Sequence, residues 1–223
     1  MSFLGRLSAG TVSLRAMSRG LIAAAALFCA TSALAGAYQD FFKALELDLG
    51  PTVKALLDRG IDPNTIEERR GDPALIFVIR NGSPKSLAVL LESRQINLEA
   101  RAPNGDTALM VAAFKGDRDA VVALLDKGAE PNRPGWTALH YAASIGNDDI
   151  VRILLEKSAY IDAEAPNKTT PLMMAARGGY NGTVKLLLEE GADPSVRNTL
   201  GMTANDFARR FADVHHEPPP SQW

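Results

Sequence analysis

Three histidines and one cysteine are the residues of this 223-residue chain best suited to catalysis or metal binding. Histidine serves as a general base or metal ligand, and a cysteine thiolate serves as a nucleophile. His215 and His216 stand between Asp213 and Glu217, a set that could in principle hold a metal ion. Adjacent residues do not share one face of a helix, however, and the segment that follows is proline-rich. We therefore expect no metal site and no cofactor.

Other signatures of catalysis are missing from the sequence. It contains no Gly-x-Ser-x-Gly, no phosphate-binding glycine-rich loop and no His-Glu-x-x-His. Asp and Glu residues are scattered over predicted helix ends and turns, where a solvated surface is the simpler interpretation. We therefore expect no catalytic residues and no enzyme activity. An enzyme or metal binder with an unfamiliar site is the alternative, which metal analysis of the purified protein would test.

The first 35 residues have the composition of a secretory signal. They carry three basic residues and no acidic one: Arg6, Arg15 and Arg19. An apolar run, Leu21 to Ala30, follows, and the segment ends in Ala-Leu-Ala at Ala35. A positive region, a short apolar region and Ala-x-Ala together are typical of a signal peptide, here cleaved after Ala35. Met17 is an alternative start, since Met17 to Ala35 alone forms a compact signal.

Cleavage there leaves 188 residues with 21 basic and 26 acidic side chains and removes Cys29, the one cysteine. The excess of acidic over basic side chains argues against a nucleic-acid partner. A chain without thiols suits an oxidising compartment. We expect the bacterial periplasm. One alternative is an inner-membrane tether in which Leu21 to Ala37 stays uncleaved, and a mature N-terminus at Gly36 would exclude it. Another is export to a host partner.

Two series of residues recur along the rest of the chain in one register. The first has spacings of 34, 30, 33 and 33 residues: Pro73, Thr107, Thr137, Thr170 and Thr203. The second is a leucine pair: Leu56-Leu57, Leu90-Leu91, Leu124-Leu125, Leu154-Leu155 and Leu187-Leu188. A fixed period of this length is typical of a solenoid in which each unit buries its apolar face only against its neighbours.

The repeat resembles the ankyrin repeat, whose period is about 33 residues and whose signature is Thr-Pro-Leu-His-x-Ala. Thr137 to Ala142 and Thr170 to Ala175 match this signature closely, and the resemblance extends from Tyr38 to Phe211. It implies an all-α fold, an ankyrin-repeat solenoid of stacked helix pairs with short hairpin or turn connections. It also implies that His140, at the signature position, bonds hairpin backbone.

We expect one ankyrin-repeat domain over residues 36–214, followed by a disordered tail at 215–223. Five repeats lie near 38–64, 72–100, 102–132, 133–163 and 165–197, and a C-terminal cap covers 198–214. The fourth repeat has three residues fewer before Thr137, so its hairpin should be short and should expose Trp136. The charged turn from Glu67 to Arg70 is interpreted as solvated, with a partner contact as the alternative.

Ankyrin partners generally bind the hairpin tips and the exposed end of the first helix of each repeat. Carried over by register, that surface predicts these partner-binding residues: Arg80, Asn81, Asp106, Phe114, Lys115, Trp136, Ser144, Ile145, Thr169, Arg177 and Met202. Phe114, Ile145 and Trp136 would form an apolar strip beside Lys115 and Arg177, unless Phe114 and Ile145 fold back onto neighbouring repeats. We expect a monomeric, non-catalytic scaffold that binds an unidentified protein partner in the periplasm.

Overall fold

A computed structural model describes residues 36–215 of the chain. The predicted signal peptide, 1–35, lies outside the described residues, as does all of the predicted tail except the backbone of His215. The chain divides into two compact units, Met1–Asp40 and Phe41–Trp223. In the first unit only 36–40 are described, and they are helical. The fold below is that of the second unit.

The regular secondary structure of residues 36–215 is helical, which confirms the all-α prediction. The helices, in chain order, are α1 (36–46), α2 (Gly50–Asp58), α3 (Ala74–Asn81), α4 (Pro84–Glu92), α5 (Ala108–Lys115), α6 (Arg118–Asp126), α7 (Ala138–Ser144), α8 (Asp148–Glu156), α9 (Pro171–Arg177), α10 (Asn181–Glu189) and α11 (Ala204–His215). Each is too short to bury an apolar face alone, so its stability comes from packing on neighbours.

Helices α2 to α11 form two rows. Helices α3, α5, α7, α9 and α11 contact one another in sequence and form the inner row. Helices α2, α4, α6, α8 and α10 form the outer row, and consecutive helices pair across the two rows. The packing is therefore that of a solenoid, in which each helix pair contacts mainly the pairs before and after it.

Small residues in the inner row and leucines in the outer row build the core. The alanine pairs of α5, α7 and α9 are almost completely buried: Ala112-Ala113, Ala142-Ala143 and Ala175-Ala176. Their small side chains allow neighbouring inner helices to approach closely. The first leucine of each outer pair is also buried, as at Leu90, Leu124 and Leu154. In α3 larger buried side chains such as Leu75 and Ile76 replace the small ones.

Side chains at the helix starts satisfy backbone N–H groups that lack an intrahelical partner. The Thr107 and Thr170 hydroxyls each accept a bond from the amide three residues on, at 3.4 Å. Asp117 and Asn147 do the same at the outer helices α6 and α8. Pro171 occupies the first turn of α9, where no N–H is needed.

The connections between repeats are held by side chains that reach from one repeat to the backbone of the next. The Asn64 side chain bonds the Gln95 carbonyl and the Asn97 amide. Glu99 accepts from the Glu130 amide, and Asn132 bonds the backbone of Ser158 and Tyr160 in the same way. Asp162 accepts from the Asp193 amide at 3.1 Å. These contacts recur at almost the repeat period, so they fix how each pair stacks on the last.

The hairpins are short, with isolated bridges at Ile66–Pro73 and Arg101–Thr107 among the described residues. In the fourth repeat, residues 131–136 form bends without a β-bridge. Arg133 lies 3.3 Å from Glu99 and 3.2 Å from Glu130 at this point. The ion pairs therefore fasten the shortened connection where backbone pairing is lost. None of the helices in residues 36–215 has the length and apolar character of a membrane span.

Candidate partner-binding groove

The side chain of Phe114, in the last turn of α5, is unusually exposed for a large apolar residue, at 56%. Its ring meets the ring of Tyr141 from α7 edge to face, with centroids 5.8 Å apart and planes at 76°. Edge-to-face contact fixes the orientation of an aromatic ring without covering it. Phe114 therefore presents an apolar surface to solvent in a defined orientation.

Tyr141 is in turn held by the hairpin of the preceding repeat. Its hydroxyl donates to Asp106 Oδ1 at 2.6 Å, and the side-chain amide of Asn104 donates to Asp106 Oδ2 at 2.6 Å. Burial raises the pKa of Tyr141, and the hydrogen bond and charge of Asp106 raise it further. The phenol therefore stays protonated and acts as a permanent donor that links hairpin, inner helix and aromatic pair.

Cationic side chains stand on the other side of Phe114. The Lys115 ammonium donates to the carbonyl oxygens of Ile79 at 3.0 Å and Arg80 at 2.6 Å, at the C-terminal end of α3. A cation is favourable there because the last carbonyl groups of a helix lack partners and carry partial negative charge. Arg80 Nε lies 3.0 Å from Oδ2 of Asp72, whose side chain is only 4% exposed.

A structured turn carries two further arginines to the same region. Glu67 is 7% exposed, and its carboxylate accepts the backbone N–H groups of Arg69 at 2.8 Å and Arg70 at 2.7 Å. Both arginine side chains are exposed as a result. The turn is thus ordered by its own buried carboxylate and is more than the solvated loop that its charges alone indicate.

Together these elements line an open cavity of about 490 Å³, which we call the inner groove. Its lining residues are Arg70, Arg80, Asn104, Asp106, Val111, Phe114, Lys115 and Tyr141. A second depression of about 450 Å³ shares Arg70 and lies toward α1, where Asn81, Phe42 and Phe77 line it. The inner groove has an apolar centre and charged rims, an arrangement that can bind a side chain and its flanking charges but offers no catalytic set.

Four of the residues predicted from the repeat register meet in the inner groove: Arg80, Asp106, Phe114 and Lys115. Asn81 lines the neighbouring depression. Arg177 is exposed at the end of α9 and lines neither cavity. Ser144 is partly buried, and its hydroxyl donates to the Tyr141 carbonyl at 2.8 Å.

Several predicted contact residues are less accessible than the register indicates. Thr169 and Met202 are buried, at 5% and 8% exposure, so the expectation that they lie open at hairpin tips is wrong. Trp136 is only partly exposed because its indole packs edge-on against the His140 ring, with centroids 5.2 Å apart. Ile145 is also partly covered, with its Cδ1 directed at Gly116 of the preceding repeat. The continuous apolar strip predicted from the sequence is therefore reduced to Phe114.

The groove also contains residues outside the predicted contact set: Asn104, Val111, Tyr141 and Arg70, whose turn had a partner contact only as its alternative interpretation. Tyr141 follows the signature histidine, and its contact with Asp106 spans 35 residues. That offset is close to one repeat, so aligning the repeats could have pointed to the pair. The sequence indicated Arg70 less clearly, since its position depends on the hydrogen bonds that the Glu67 carboxylate accepts from the backbone of the turn.

His140 is a structural residue, as the resemblance implies. Its ring is fully buried, and Nε2 lies 2.9 Å from the Thr169 carbonyl oxygen of the next hairpin. Nδ1 accepts from the Thr137 backbone N–H at 3.2 Å and lies 2.9 Å from the Thr137 hydroxyl. A neutral imidazole with its proton on Nε2 satisfies all these contacts. Burial lowers the pKa of His140 to about 4, against an opposing contribution from the Thr169 hydrogen bond.

Within the part of the chain that the structure describes, no group of three or more His, Cys, Asp or Glu side chains is placed to hold a metal ion. The candidate set around His215 and His216 is not among the side chains described.

Comparison with known proteins gives one consistent result. The family model described as "Ankyrin repeats (3 copies)" matches residues 41–134 and 131–198. The chain is 30% identical over 171 residues to the B-cell lymphoma 3 protein homolog of Mus musculus, covering 73% of this chain and 38% of that protein. It is 31% identical over 160 residues to the transient receptor potential cation channel subfamily A member 1 of Homo sapiens, covering 67% of this chain and 14% of the channel.

Among solved structures, the ankyrin repeat domain of Bcl-3, described as a unique member of the IkappaB protein family, superposes with a TM-score of 0.69. The match has 29% sequence identity and covers 79% of this chain and 81% of that domain. The two curated relatives are much longer than this chain, which spans well under half of either. The likeness therefore concerns the repeat region.

Proposed function

Because the chain belongs to the ankyrin-repeat family, whose repeats are generally protein–protein interaction modules, we propose that it binds a protein partner through the inner groove. The observation that carries this proposal is the 56% exposure of Phe114 between Tyr141 and Lys115. Aromatic side chains at the centre of a contact surface, with arginine nearby, frequently dominate the binding energy of an interface.

The groove is built for binding without rearrangement. Tyr141 is fixed by Asp106, Lys115 by the end of α3, and the arginine turn by Glu67. A surface whose side chains are already ordered loses less conformational entropy when a partner binds. This supports a docking role in which the protein contributes a rigid surface and no chemistry of its own. The family is generally non-catalytic, in agreement with that role.

We propose that this binding takes place in the periplasm. The support is the signal-like pattern of the first 35 residues and the absence of cysteine from residues 36–223. Determining the N-terminal sequence of the protein recovered from cells tests this localisation. Gly36 as the first residue is expected, whereas Met1 or Met17 in the membrane fraction would favour the tethered alternative.

Replacing Phe114 by alanine should weaken partner binding roughly thirtyfold or more, because a central exposed aromatic residue is worth about 2 kcal/mol or more in an interface. The measurement is quantitative affinity capture from periplasmic extract, comparing the unmodified protein with the Phe114→Ala protein. The fold should not change, since a side chain exposed to 56% contributes little to the core.

Tyr160→Ala is the matched control for that experiment. Tyr160 is an aromatic residue exposed to 67%, and it lies after the outer helix α8, away from the inner groove. The captured partner should be retained by this variant. If both variants retain the partner equally, the binding site does not include Phe114. If both lose it equally, the capture is non-specific.

A further inference from the structure

The charge of the inner groove differs from that of the whole molecule. Residues 36–223 carry 21 basic and 26 acidic side chains, so the molecule is acidic overall. The rim of the groove nevertheless has three cationic side chains, Arg70, Arg80 and Lys115. Arg69 lines the adjoining depression together with Arg70. The positive charge is thus concentrated beside the exposed aromatic ring.

Three carboxylates of this region have partners within the protein. Asp72 is buried against Arg80, Glu67 accepts two backbone amides, and Asp106 accepts from Tyr141 and Asn104. Arg70, by contrast, forms no ion pair with any residue in the described range 36–215. Lys115 bonds only carbonyl oxygens there, so its charge is not cancelled by a carboxylate. The exposed cations of the groove rim, Arg70 and Lys115, therefore outnumber its one partly exposed carboxylate, Asp106.

We propose that the inner groove takes an extended acidic segment of a partner protein, in which an apolar side chain of Phe or Leu size packs on Phe114 while neighbouring Asp or Glu carboxylates pair with Arg70 and Lys115. This inference rests on the proposed function and specifies the chemistry of the partner. Charge complementarity carries it, since two exposed cations without carboxylate partners, Arg70 and Lys115, favour an anionic ligand. A planar guanidinium such as that of Arg70 can bind a carboxylate through two parallel hydrogen bonds.

A protein segment fits these features better than other anions do. The apolar centre requires a ligand with an apolar side chain, which an extended phosphate backbone does not supply. The excess of acidic over basic side chains in residues 36–223 also opposes long-range attraction of an anion, and it does so more strongly for a polyanion such as DNA or an anionic lipid surface than for a short segment with few charges. About ten residues of extended peptide span roughly 33 Å, the length of about three stacked helix pairs.

The test is a selection from a random displayed library of peptides of about ten residues against the mature protein. The enriched peptides should combine two or more acidic residues with one large apolar residue. A fluorescein-labelled enriched peptide is then titrated by fluorescence anisotropy. Arg70→Gln should weaken its binding roughly threefold to tenfold, because a charge-assisted hydrogen bond is lost. Raising the ionic strength should also weaken it, because surface charges are screened.

Arg59→Gln is the matched control, since Arg59 is exposed at the end of α2 and, like Arg70, forms no ion pair in the described residues. It should leave the affinity unchanged. No enrichment, enrichment of neutral or basic peptides, or equal binding by the Arg70→Gln protein would overturn the inference. So would displacement of the peptide by single-stranded DNA or anionic vesicles as effectively as by unlabelled peptide.

The outcome also separates this inference from the proposed function. A partner captured from extract that is lost with Phe114→Ala but fully retained by Arg70→Gln would leave binding at the groove established and refute the acidic segment. Loss of the partner with both variants, together with enrichment of acidic peptides, supports both proposals.

Discussion

Replacing Gly146 by alanine should destabilise the protein by about 2 to 5 kcal/mol, the sum of backbone strain and overpacking. Gly146 follows α7 and has φ of +70°, in the left-handed region where a Cβ is strained. A Cβ built there would also meet three ring carbons of Tyr180 at less than 3.0 Å. The other edge of the ring fills the space that a Cβ on Gly178 would occupy, so the ring packs across both glycines.

Gly82→Ala provides the matched control. Gly82 lies at the corresponding position after α3 and has φ of +69°, but a Cβ there would meet no atom within 4 Å. Its substitution should cost only the backbone strain, about 1 to 2 kcal/mol. Urea unfolding of both variants measures the difference. Adding Tyr180→Ala should remove more of the Gly146→Ala penalty than a simple sum of effects allows, and equal losses at the two glycines would contradict this packing account.

The two recurring series of the sequence, the threonines and the leucine pairs, were sufficient to predict the packing of the helices. The recurring leucine pairs occupy the outer row, and the threonines precede the inner helices, as at Thr107 and Thr170. Glycines after the leucine pairs, such as Gly128 and Gly191, adopt positive φ. These features are set by local backbone geometry and by burial, and both leave a periodic mark on the sequence.

The groove was predicted only in part, because accessibility depends on contacts between repeats. The repeat register placed Phe114 and Lys115 correctly at the exposed end of α5. It could not show that the shortened connection lets Trp136 fold over His140. Nor could it show that Thr169 is drawn inward, where its carbonyl oxygen contacts His140. Such contacts depend on side-chain orientation in two repeats at once, which a single periodic pattern does not encode.

As the pH falls from about 6.5 to about 4, protonation of His140 by itself should lower the free energy of unfolding by about 3 kcal/mol. Burial lowers the pKa of His140 from 6.5 to about 4 in the folded state. Between these values the unfolded chain binds a proton at this residue and the folded chain does not, so acid favours unfolding. Each pKa unit corresponds to about 1.36 kcal/mol. The contribution is fully present above about pH 6.5 and is lost on acidification through that window.

The geometry of the ring explains why protonation is unfavourable beyond the effect of burial. A proton on Nδ1 would face the Thr137 backbone N–H, whose nitrogen lies 3.2 Å away, and a hydrogen bond would become a repulsion between donors. The Nε2 contact with Thr169 favours the charged ring, but by less than burial disfavours it. Protonation should therefore release the start of α7 together with its contact to the next hairpin.

His140→Gln separates this contribution from the protonation of carboxylates, which affects both proteins equally. Glutamine does not titrate, and its side-chain oxygen can still accept from the amide three residues earlier at a helix start. Urea unfolding at a series of pH values should show a shallower decline for the variant between about pH 6.5 and 4. If the two proteins decline in parallel, His140 titrates normally in the folded state. Burial and the Thr137 backbone N–H would then not be sufficient to hold the ring neutral.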